Sequence, residues 1–282
     1  MEQQRRTATG PVTILAIADE ERPALTVPGG VDFGAGNRPD LLLSAGDLDF
    51  GYVAAVADAF DVPCAMVPGN HDPSLEGFTL SAAGWIRAGR HDVWPGPAGA
   101  WAADRDVVEV AGLRIAGLGG CGRYSAGPNQ WTNAQAMRRA RRVLRRARRS
   151  PAVDVLLTHA PGTPGAENQG ASAGGRARLG GSPVTVRDHD TVHRALPAVD
   201  MLAERLRPAL HLHGHVHLHG ADRRVTSLPS GDSGPGTLVV NTVGWTLTRV
   251  HPGPNSNSVS GPNSRTDSAD PTPRAELILK GR

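Results

Sequence analysis

Four short apolar segments of this chain each run into a polar residue that can bind a metal ion. The segments are residues 12–18, 40–44, 63–67 and 153–157, and the polar residues that follow them are Asp19, Asp47, Asn70 and His159. Apolar runs of this length predict strands that are buried on both faces. In α/β sheets, ligands collect at the carboxyl ends of such strands. The pattern therefore predicts an α/β fold whose strand ends deliver polar side chains to one edge.

Residues 211–219 hold five of the chain's 11 histidines, at strict alternation. On an extended strand this spacing sends every other side chain to the same face. Gly214 predicts a bend, which would let His215 and His217 leave the strand end pointing at two different centres. Leu and Val interleave the histidines and the stretch lies well inside the chain, which argues against a surface tract or a tag. The stretch therefore predicts a metal site.

The remaining segments predict helices, further strands and loops. Helical spacing predicts helices through residues 52–60, from Thr132, and from Pro197 to before Pro208. A hairpin is predicted over 107–116, strands over 237–241 and 276–279, and loops over 85–106 and 117–130. Low-complexity composition predicts a mobile insertion at 162–187 and a disordered loop at 252–273. We predict a single domain over residues 1–282.

The helix that begins near Thr132 carries eight arginines between Arg138 and Arg149. Its apolar stripe is formed by Met137, Ala140, Leu144 and Ala147. The stripe predicts an amphipathic cover helix. A nucleic-acid face is the alternative, but no aromatic residues are interleaved with the arginines. We therefore predict that the arginines form a solvated face.

Charge, cysteine content and apolar run length indicate what the sequence says about the partners and location of the protein. The formal net charge is only +3 and Lys280 is the only lysine, so charge alone names no partner. Two isolated cysteines, Cys64 and Cys121, imply no disulfide framework and favour a reducing compartment. The apolar run at residues 12–18 is too short to span a bilayer and lacks a signal-cleavage pattern. We expect a cytoplasmic protein without membrane contact.

Six nitrogen and oxygen donors lie where a predicted strand ends. They are Asp19, Asp47, Asn70, His159, His215 and His217. Because no thiolate is among them, Mn²⁺ is favoured, Fe and Zn²⁺ are alternatives, and Mg²⁺ is disfavoured by the imidazoles. Six donors are too many for one catalytic ion with open positions, whereas two ions about 3.5–4 Å apart that share a carboxylate would use them all. Asp47 is the natural bridge.

These residues, taken in chain order, resemble the calcineurin-like metallophosphoesterase superfamily. The resemblance rests on Asp19, Gly46-Asp47, Gly69-Asn70-His71-Asp72, His159 and Gly214-His215-Val216-His217. It implies an α/β fold, a four-layer α/β/β/α sandwich of two mixed sheets flanked by helices. It also implies two divalent metal ions, with Asp19 and His217 on the first, Asn70, His159 and His215 on the second, and Asp47 on both.

The resemblance further implies hydrolysis of a phosphomonoester or phosphodiester by a hydroxide that two metals activate. His71 would reach the phosphate or the leaving oxygen, and Asp72 would orient the His71 ring and keep it protonated. We expect a small phosphorylated substrate. Its candidate contacts are Arg123, Tyr124, Gln130, His193 and Arg194.

One motif departs from the family pattern, which usually has Asp-x-His where this chain has Asp19-Glu20-Glu21. Glu21 replaces the missing imidazole, or Glu20 does, or the first metal position is weak. The sequence leaves these alternatives open. The competing hypothesis is a catalytically silent or regulatory metal-binding module, with the arginine helix as the site of a nucleic acid or an acidic protein.

Overall fold

Two six-stranded mixed sheets form the centre of the protein. The computed structural model describes residues 10–148, 152–163, 192–217, 225–228, 236–252 and 274–281. The first sheet contains, in spatial order, β17 (Ala275–Lys280), β16 (Gly244–Val250), β1 (Val12–Ala18), β2 (Leu41–Ser44), β3 (Cys64–Met66) and β7 (Trp101–Ala102). The second contains β14 (Val225–Leu228), β15 (Thr237–Asn241), β13 (Leu210–His213), β12 (Val155–Thr158), β9 (Leu113–Leu118) and β8 (Val107–Val110).

Helices and short strands complete the described elements. The helices are α1 (Phe50–Phe60), α2 (Asn133–Ala147), α3 (Pro197–Leu206) and a 3₁₀ turn, Pro23–Thr26. The short strands are β4 (Phe78–Ser81), β5 (Gly84–Arg87) and β6 (Arg90–His91) in one small sheet, and β10 (Cys121–Gly122) and β11 (Gln130–Trp131) in another. No helix in the ranges that the structure describes is long and apolar enough to cross a bilayer.

Both faces of each large sheet are buried, as the residues of β1 show. Ile14 and Ala16 pack in the core between the two sheets, whereas Leu15 and Ile17 pack in the core under α1. A third core, which includes Leu118, lies between the second sheet and the helices α2 and α3. Each fully buried Leu or Ile contributes about 1.5–3 kcal/mol. The predicted four-layer α/β/β/α order is therefore confirmed.

The parallel strands determine where the site forms. β1, β2 and β3 run parallel in the first sheet, and β9, β12, β13 and β15 run parallel in the second. Parallel strands place their carboxyl ends at the same edge of a sheet. The loops after β1, β2, β3, β12 and β13 consequently meet at one edge of the sandwich.

Two predicted loops contain strands, and one long strand has no predicted counterpart. The segment 85–106 is not a continuous loop, because it contains β5, β6 and β7. The segment 117–130 is not entirely a loop either, because it contains β10. No predicted strand corresponds to the long strand β16, which pairs with β1 over seven residues. Its alternation of Thr246 and Thr248 with larger residues lacks an apolar period, yet both threonines are fully buried.

The arginine helix α2 has an inward-facing arginine. Arg139 is buried, its guanidinium lies 3.7 Å from the centre of the Trp131 ring, and it pairs with Asp104 (2.6 Å) and with Glu76. The prediction that arginines occupy only the solvated face is therefore wrong at this position. The exposed arginines of α2 are Arg138, Arg141, Arg142, Arg145, Arg146 and Arg148.

Two predicted segments, the insertion at 162–187 and the loop at 252–273, lie outside the described residues except at 162–163 and 252. Arg149 and His219 are also outside them. The prediction of one domain over 1–282 stays a prediction.

Candidate metal centre

The predicted donors converge where the strand ends of the two sheets meet. One cleft is lined by Asp19, Asp47, Asn70, His71, Tyr124, Val192, His193, His215 and His217. His159 is fully buried, with its Nε2 3.3 Å from Asp47 Oδ2. The structure therefore brings together all six donors that the strand-end pattern singles out.

Three of these residues have a left-handed backbone. The φ angles of Asp19, Asp47 and His215 are +61°, +57° and +70°. Non-glycine residues rarely adopt this conformation, and it costs on the order of 1–3 kcal/mol each where the surroundings impose it. The bends let the chain leave each strand and turn its side chain toward the cleft. Such outliers cluster at functional sites.

Glycines next to these bends allow the loops to touch. A Cβ atom added at Gly214 would clash with Asp19 Oδ2, and one added at Gly69 would clash with Asp47 Oδ1. Asp19 in turn accepts the backbone N–H of His215, which lies 3.0 Å from Oδ2. Both positions therefore require glycine, because the backbone at each of them approaches a carboxylate closely.

His159 presents one ring nitrogen to the site. Its Nδ1 lies 2.8 Å from Ala45 O, so Nδ1 carries the proton and Nε2 faces Asn70 Oδ1 at 3.0 Å. Burial lowers the pKa of His159, but the hydrogen bond and charge of Asp47 outweigh it and raise the pKa to about 9. Burial also acts to raise the pKa of Asp47, and His159 reverses that shift and lowers it. Without a cation, His159 is therefore an imidazolium held by Asp47.

His215 has the opposite electrostatic state. Burial, with the charge of His159 adding to it, lowers the pKa of His215 to about 3. Its Nε2 donates to the carbonyl of Val192 at 2.9 Å, and its ring lies 4.9 Å from that of His159. His215 is consequently a neutral imidazole at physiological pH, which is the form that binds metals.

Asn70 is oriented by a tyrosine. The side chain of Asn70 is buried, and its Nδ2 donates to the hydroxyl of Tyr124 at 3.1 Å. This leaves Oδ1 toward His159. Tyr124 is also a predicted substrate contact, and it lines the cleft.

The donor set fits a cation. Ligand atoms of Asp47, His159 and His215 lie within 4.8 Å of one another. The lone pairs of Asp47 Oδ2, Asn70 Oδ1 and His159 Nε2 face each other, so either a proton on His159 or a metal ion must separate them. A metal ion would displace that proton. Imidazole, amide and carboxylate donors without thiolate suit Mn²⁺, Fe or Zn²⁺.

The altered first motif uses its two glutamates differently. Glu21 Oε1 accepts the backbone N–H of Asp49, 3.2 Å away, where α1 begins. Glu20 contacts His217, whose Nδ1 lies 3.7 Å from Glu20 Oε1, and it pairs with Arg22. Neither glutamate lines the cleft.

His217 stands at the outer side of the cleft. Its Nε2 lies 3.6 Å from Asp19 Oδ1, and its side chain is 43% exposed. The nearby carboxylate of Asp19 raises the pKa of His217, and burial opposes this shift only in part.

The alternating histidines do not share one role. His211 and His213 belong to β13 and are buried, and the Nε2 atom of His211 lies 2.9 Å from Thr158 Oγ1. Burial lowers the pKa of His213 to about 4, and it also lowers the pKa of His211 well below its usual value. The predicted bend at Gly214 is present, because β13 ends at His213. Among the described histidines of this stretch, His215 and His217, which follow the bend, line the cleft.

Asp72 does not orient the ring of His71, so that prediction is wrong. Its Oδ2 accepts the backbone N–H groups of Gly69 (2.7 Å) and Asp47 (2.9 Å). The side chain of His71 is 75% exposed, and its Nε2 lies 3.9 Å from Asp47 Oδ2. Asp72 therefore holds two loops of the site together, which is a structural role.

The other predicted substrate contacts differ in whether they line the cleft. His193 lines the cleft, and its ring lies 5.2 Å from that of His215. Arg123 points away, toward Gln135 Oε1 at 3.2 Å, and Arg194 does not line the cleft. Gln130 accepts backbone N–H groups of its own loop, those of Tyr124 and Ser125.

Sequence reasoning missed Asn129. Its Nδ2 donates to Gly69 O at 2.8 Å and to Asp72 O at 2.9 Å. It thus ties the glycine-rich loop to the loop after β3. No local sequence signal identifies this role, because the partners lie 60 and 57 residues away.

Comparison with known proteins gives a family and a fold neighbour. The sequence pattern of the calcineurin-like phosphoesterase family matches residues 25–219. The crystal structure of TT1561 of Thermus thermophilus is similar, with a TM-score of 0.48 and 15% sequence identity over 84% of this chain and 93% of that chain. No curated protein matches the sequence. Asp19 lies outside the matched range.

The structural role of Asp72 can be tested by stability. Asp72→Ala leaves two backbone N–H groups without an acceptor, each costing about 1–3 kcal/mol. We expect the free energy of unfolding, measured by denaturant in the presence of a chelator, to fall by about 2–4 kcal/mol. The matched control is the exposed neighbour, where His71→Ala should change it by less than about 0.5 kcal/mol. Equal stability of both variants would contradict the assignment.

Proposed function

Because the chain belongs to the calcineurin-like phosphoesterase family, we propose that it is a metal-dependent hydrolase of phosphomonoesters or phosphodiesters. The observation that carries this proposal is the set of opposed lone pairs on Asp47, Asn70 and His159 beside the neutral imidazole of His215. This arrangement is costly unless a cation or a proton occupies it. A catalytically silent metal-binding module would share this arrangement, so hydrolysis itself is the measurement that separates the two hypotheses.

We propose two divalent cations, with Mn²⁺ preferred. Asp19 and His217 would hold one, Asn70, His159 and His215 the other, and Asp47 both. When bound, such cations lower the pKa of water and neutralise phosphate oxygens. The buried residues keep the donors fixed and exclude bulk water from one side of the cleft.

His71 is the proposed catalytic side chain. Its backbone N–H donates to Asp47 Oδ1 at 2.8 Å, which fixes the residue at the rim while the ring stays exposed. As an imidazolium it would donate to a phosphate oxygen or to the leaving oxygen. Tyr124 and His193, which line the same cleft, are the proposed contacts of a small phosphorylated substrate.

A second candidate function, nucleic-acid binding, rests on a feature that the sequence did not reveal. A groove beside α2 is lined by Trp85 and Trp94, whose rings stack 4.1 Å apart, together with Arg142 and Arg146. Aromatic rings beside arginines are typical of single-strand binding. Against it, Asp104 and Asp106 line the same groove, and Asp106 pairs with Arg146 at 3.5 Å. We therefore retain the solvated cover face as our proposal.

The cytoplasmic location stays a prediction. It rests on Cys64 and Cys121, which are buried and unpaired.

Hydrolysis should depend on metal and on His215. With Mn²⁺ supplied, the purified chain is expected to hydrolyse p-nitrophenyl phosphate or bis(p-nitrophenyl) phosphate, and a chelator should abolish this. His215→Ala should lower the rate on the order of 10²-fold or more, because an inner ligand is lost. The control is His91→Ala, an exposed histidine on β6. A metal-replete protein inert toward a broad panel of both ester types would favour the silent module.

His71→Ala separates catalysis from metal binding. We expect turnover to fall by about 10²–10⁴-fold, as for loss of a general acid, while Mn²⁺ content measured by elemental analysis stays the same. If metal is lost in parallel with activity, His71 is a ligand.

The arginines of α2 should not matter for a small substrate. Replacing Arg138, Arg141, Arg145 and Arg148 by Gln is expected to leave hydrolysis unchanged. The parent protein should bind single-stranded or duplex DNA no more tightly than nonspecific association, about 10⁻⁴–10⁻⁶ M near physiological salt. Submicromolar binding that weakens steeply with salt would instead contradict the solvated cover face and favour a nucleic-acid function.

A further inference from the structure

We infer that the two cation positions are unequal: the position at Asn70, His159 and His215 binds tightly, and the position at Asp19 and His217 binds weakly, with Glu20 bracing His217 rather than acting as a ligand. This inference rests on the proposed function.

The tight position has four converging donors. Asn70 Oδ1 and Asp47 Oδ2 lie 3.0 Å and 3.3 Å from His159 Nε2, and His215 completes the set. Asn70, His159 and His215 are 2%, 0% and 4% exposed. Their orientations are fixed by Tyr124, Ala45 and Val192, respectively. Little reorganisation is needed to bind an ion there.

The weak position has fewer donors, and one of them is partly exposed to solvent. Apart from the shared Asp47, the described residues offer Asp19 and His217. Both carboxylate oxygens of Asp19 already accept the backbone N–H of His215. The side chain of His217 is 43% exposed. Ordering it on a metal ion therefore costs conformational entropy that the buried donors do not lose.

Glu21 does not compensate for the missing imidazole. Its carboxylate is engaged by the backbone N–H of Asp49, the N-cap residue of α1. Turning Glu21 toward the cleft would leave that N–H without its acceptor. Glu21, the third residue of the motif, consequently stabilises the start of α1.

Glu20 lies on the other side of the His217 ring from Asp19. Its Oε1 is 3.7 Å from His217 Nδ1, while Asp19 Oδ1 is 3.6 Å from Nε2. A carboxylate behind a ligating histidine fixes the ring and increases its basicity. Arg22, paired with Glu20, holds that carboxylate in place. Glu20 is therefore a positioning residue for the weak position.

The expected difference in affinity is large. Loss of an outer partner of a ligand alone costs about 10–100-fold in metal affinity. Loss of a direct ligand should cost at least as much, so we expect the second Mn²⁺ to bind at least about 10-fold more weakly than the first.

The test is a titration of metal-stripped protein with Mn²⁺, followed by calorimetry and by the electron paramagnetic resonance signal of free Mn²⁺. The parent should show one tight and one weak site. His217→Ala should remove only the weak site, whereas Asn70→Ala should weaken the tight one. Thermal unfolding of the stripped proteins verifies that each variant is folded.

Two adjacent glutamates give a matched pair of variants. Glu20→Gln should weaken the weak site by about 10–100-fold and leave the tight site unchanged. Glu21→Gln keeps an oxygen for the N–H of Asp49 and should alter neither site. An equal effect of both variants on the weak site would overturn the role of Glu20, and two sites of equal affinity would overturn the inference.

These outcomes are distinct from failure of the proposed function. One tight and one weak site in a protein that hydrolyses no phosphate ester supports the inference and contradicts the function. Two equal sites in an active enzyme do the reverse.

Discussion

The hydrogen bond between His159 Nδ1 and Ala45 O, 2.8 Å long and fully buried, joins the two sheets at the edge where the site forms. His159 follows β12 of the second sheet, and Ala45 follows β2 of the first. Because the backbone carbonyl engages Nδ1, Nε2 is the nitrogen that faces Asp47 and Asn70. The direction of the ring, and with it the arrangement of the donors around it, therefore depends on how the two sheets pack.

The loops around that bond are held by the protein itself. Left-handed residues such as Asp47 and His215 cost on the order of 1–3 kcal/mol each, and they persist because neighbouring groups fix them. Asp72 holds the backbone of Gly69 and Asp47, and Asn129 holds the same loop from the other side. The site is thus largely formed before any ligand binds, which is how fixed dipoles stabilise developing charge without reorganisation. The strained residues of this arrangement therefore lower the stability of the sandwich.

The strand ends and the six donors could be predicted because buried parallel strands have a local signature, a short apolar run followed by polar residues. Roles that depend on distant partners could not. Asp72 serves two loops, and Arg139 pairs with residues 35 and 63 positions away, so sequence spacing contains no sign of either. Strand alternation also could not show that His211 is a buried core residue, because its partner Thr158 lies on a neighbouring strand. Tertiary contacts decide each of these cases.

The departure in the first motif redistributes charge along the cleft. At one end the donors beside Asp47 would be neutral once a cation had displaced the proton of His159, namely the amide of Asn70 and two imidazoles. At the other end the carboxylates of Asp19 and Glu20 flank His217. A dication among neutral donors keeps more of its positive charge and attracts phosphate oxygens more strongly. Tyr124, which contacts Asn70, places a hydroxyl able to donate to phosphate at that same end. For the phosphate ester that we propose as substrate, charge and hydrogen-bond donors would therefore favour the same orientation, with the phosphate group at the Asn70 end of the cleft.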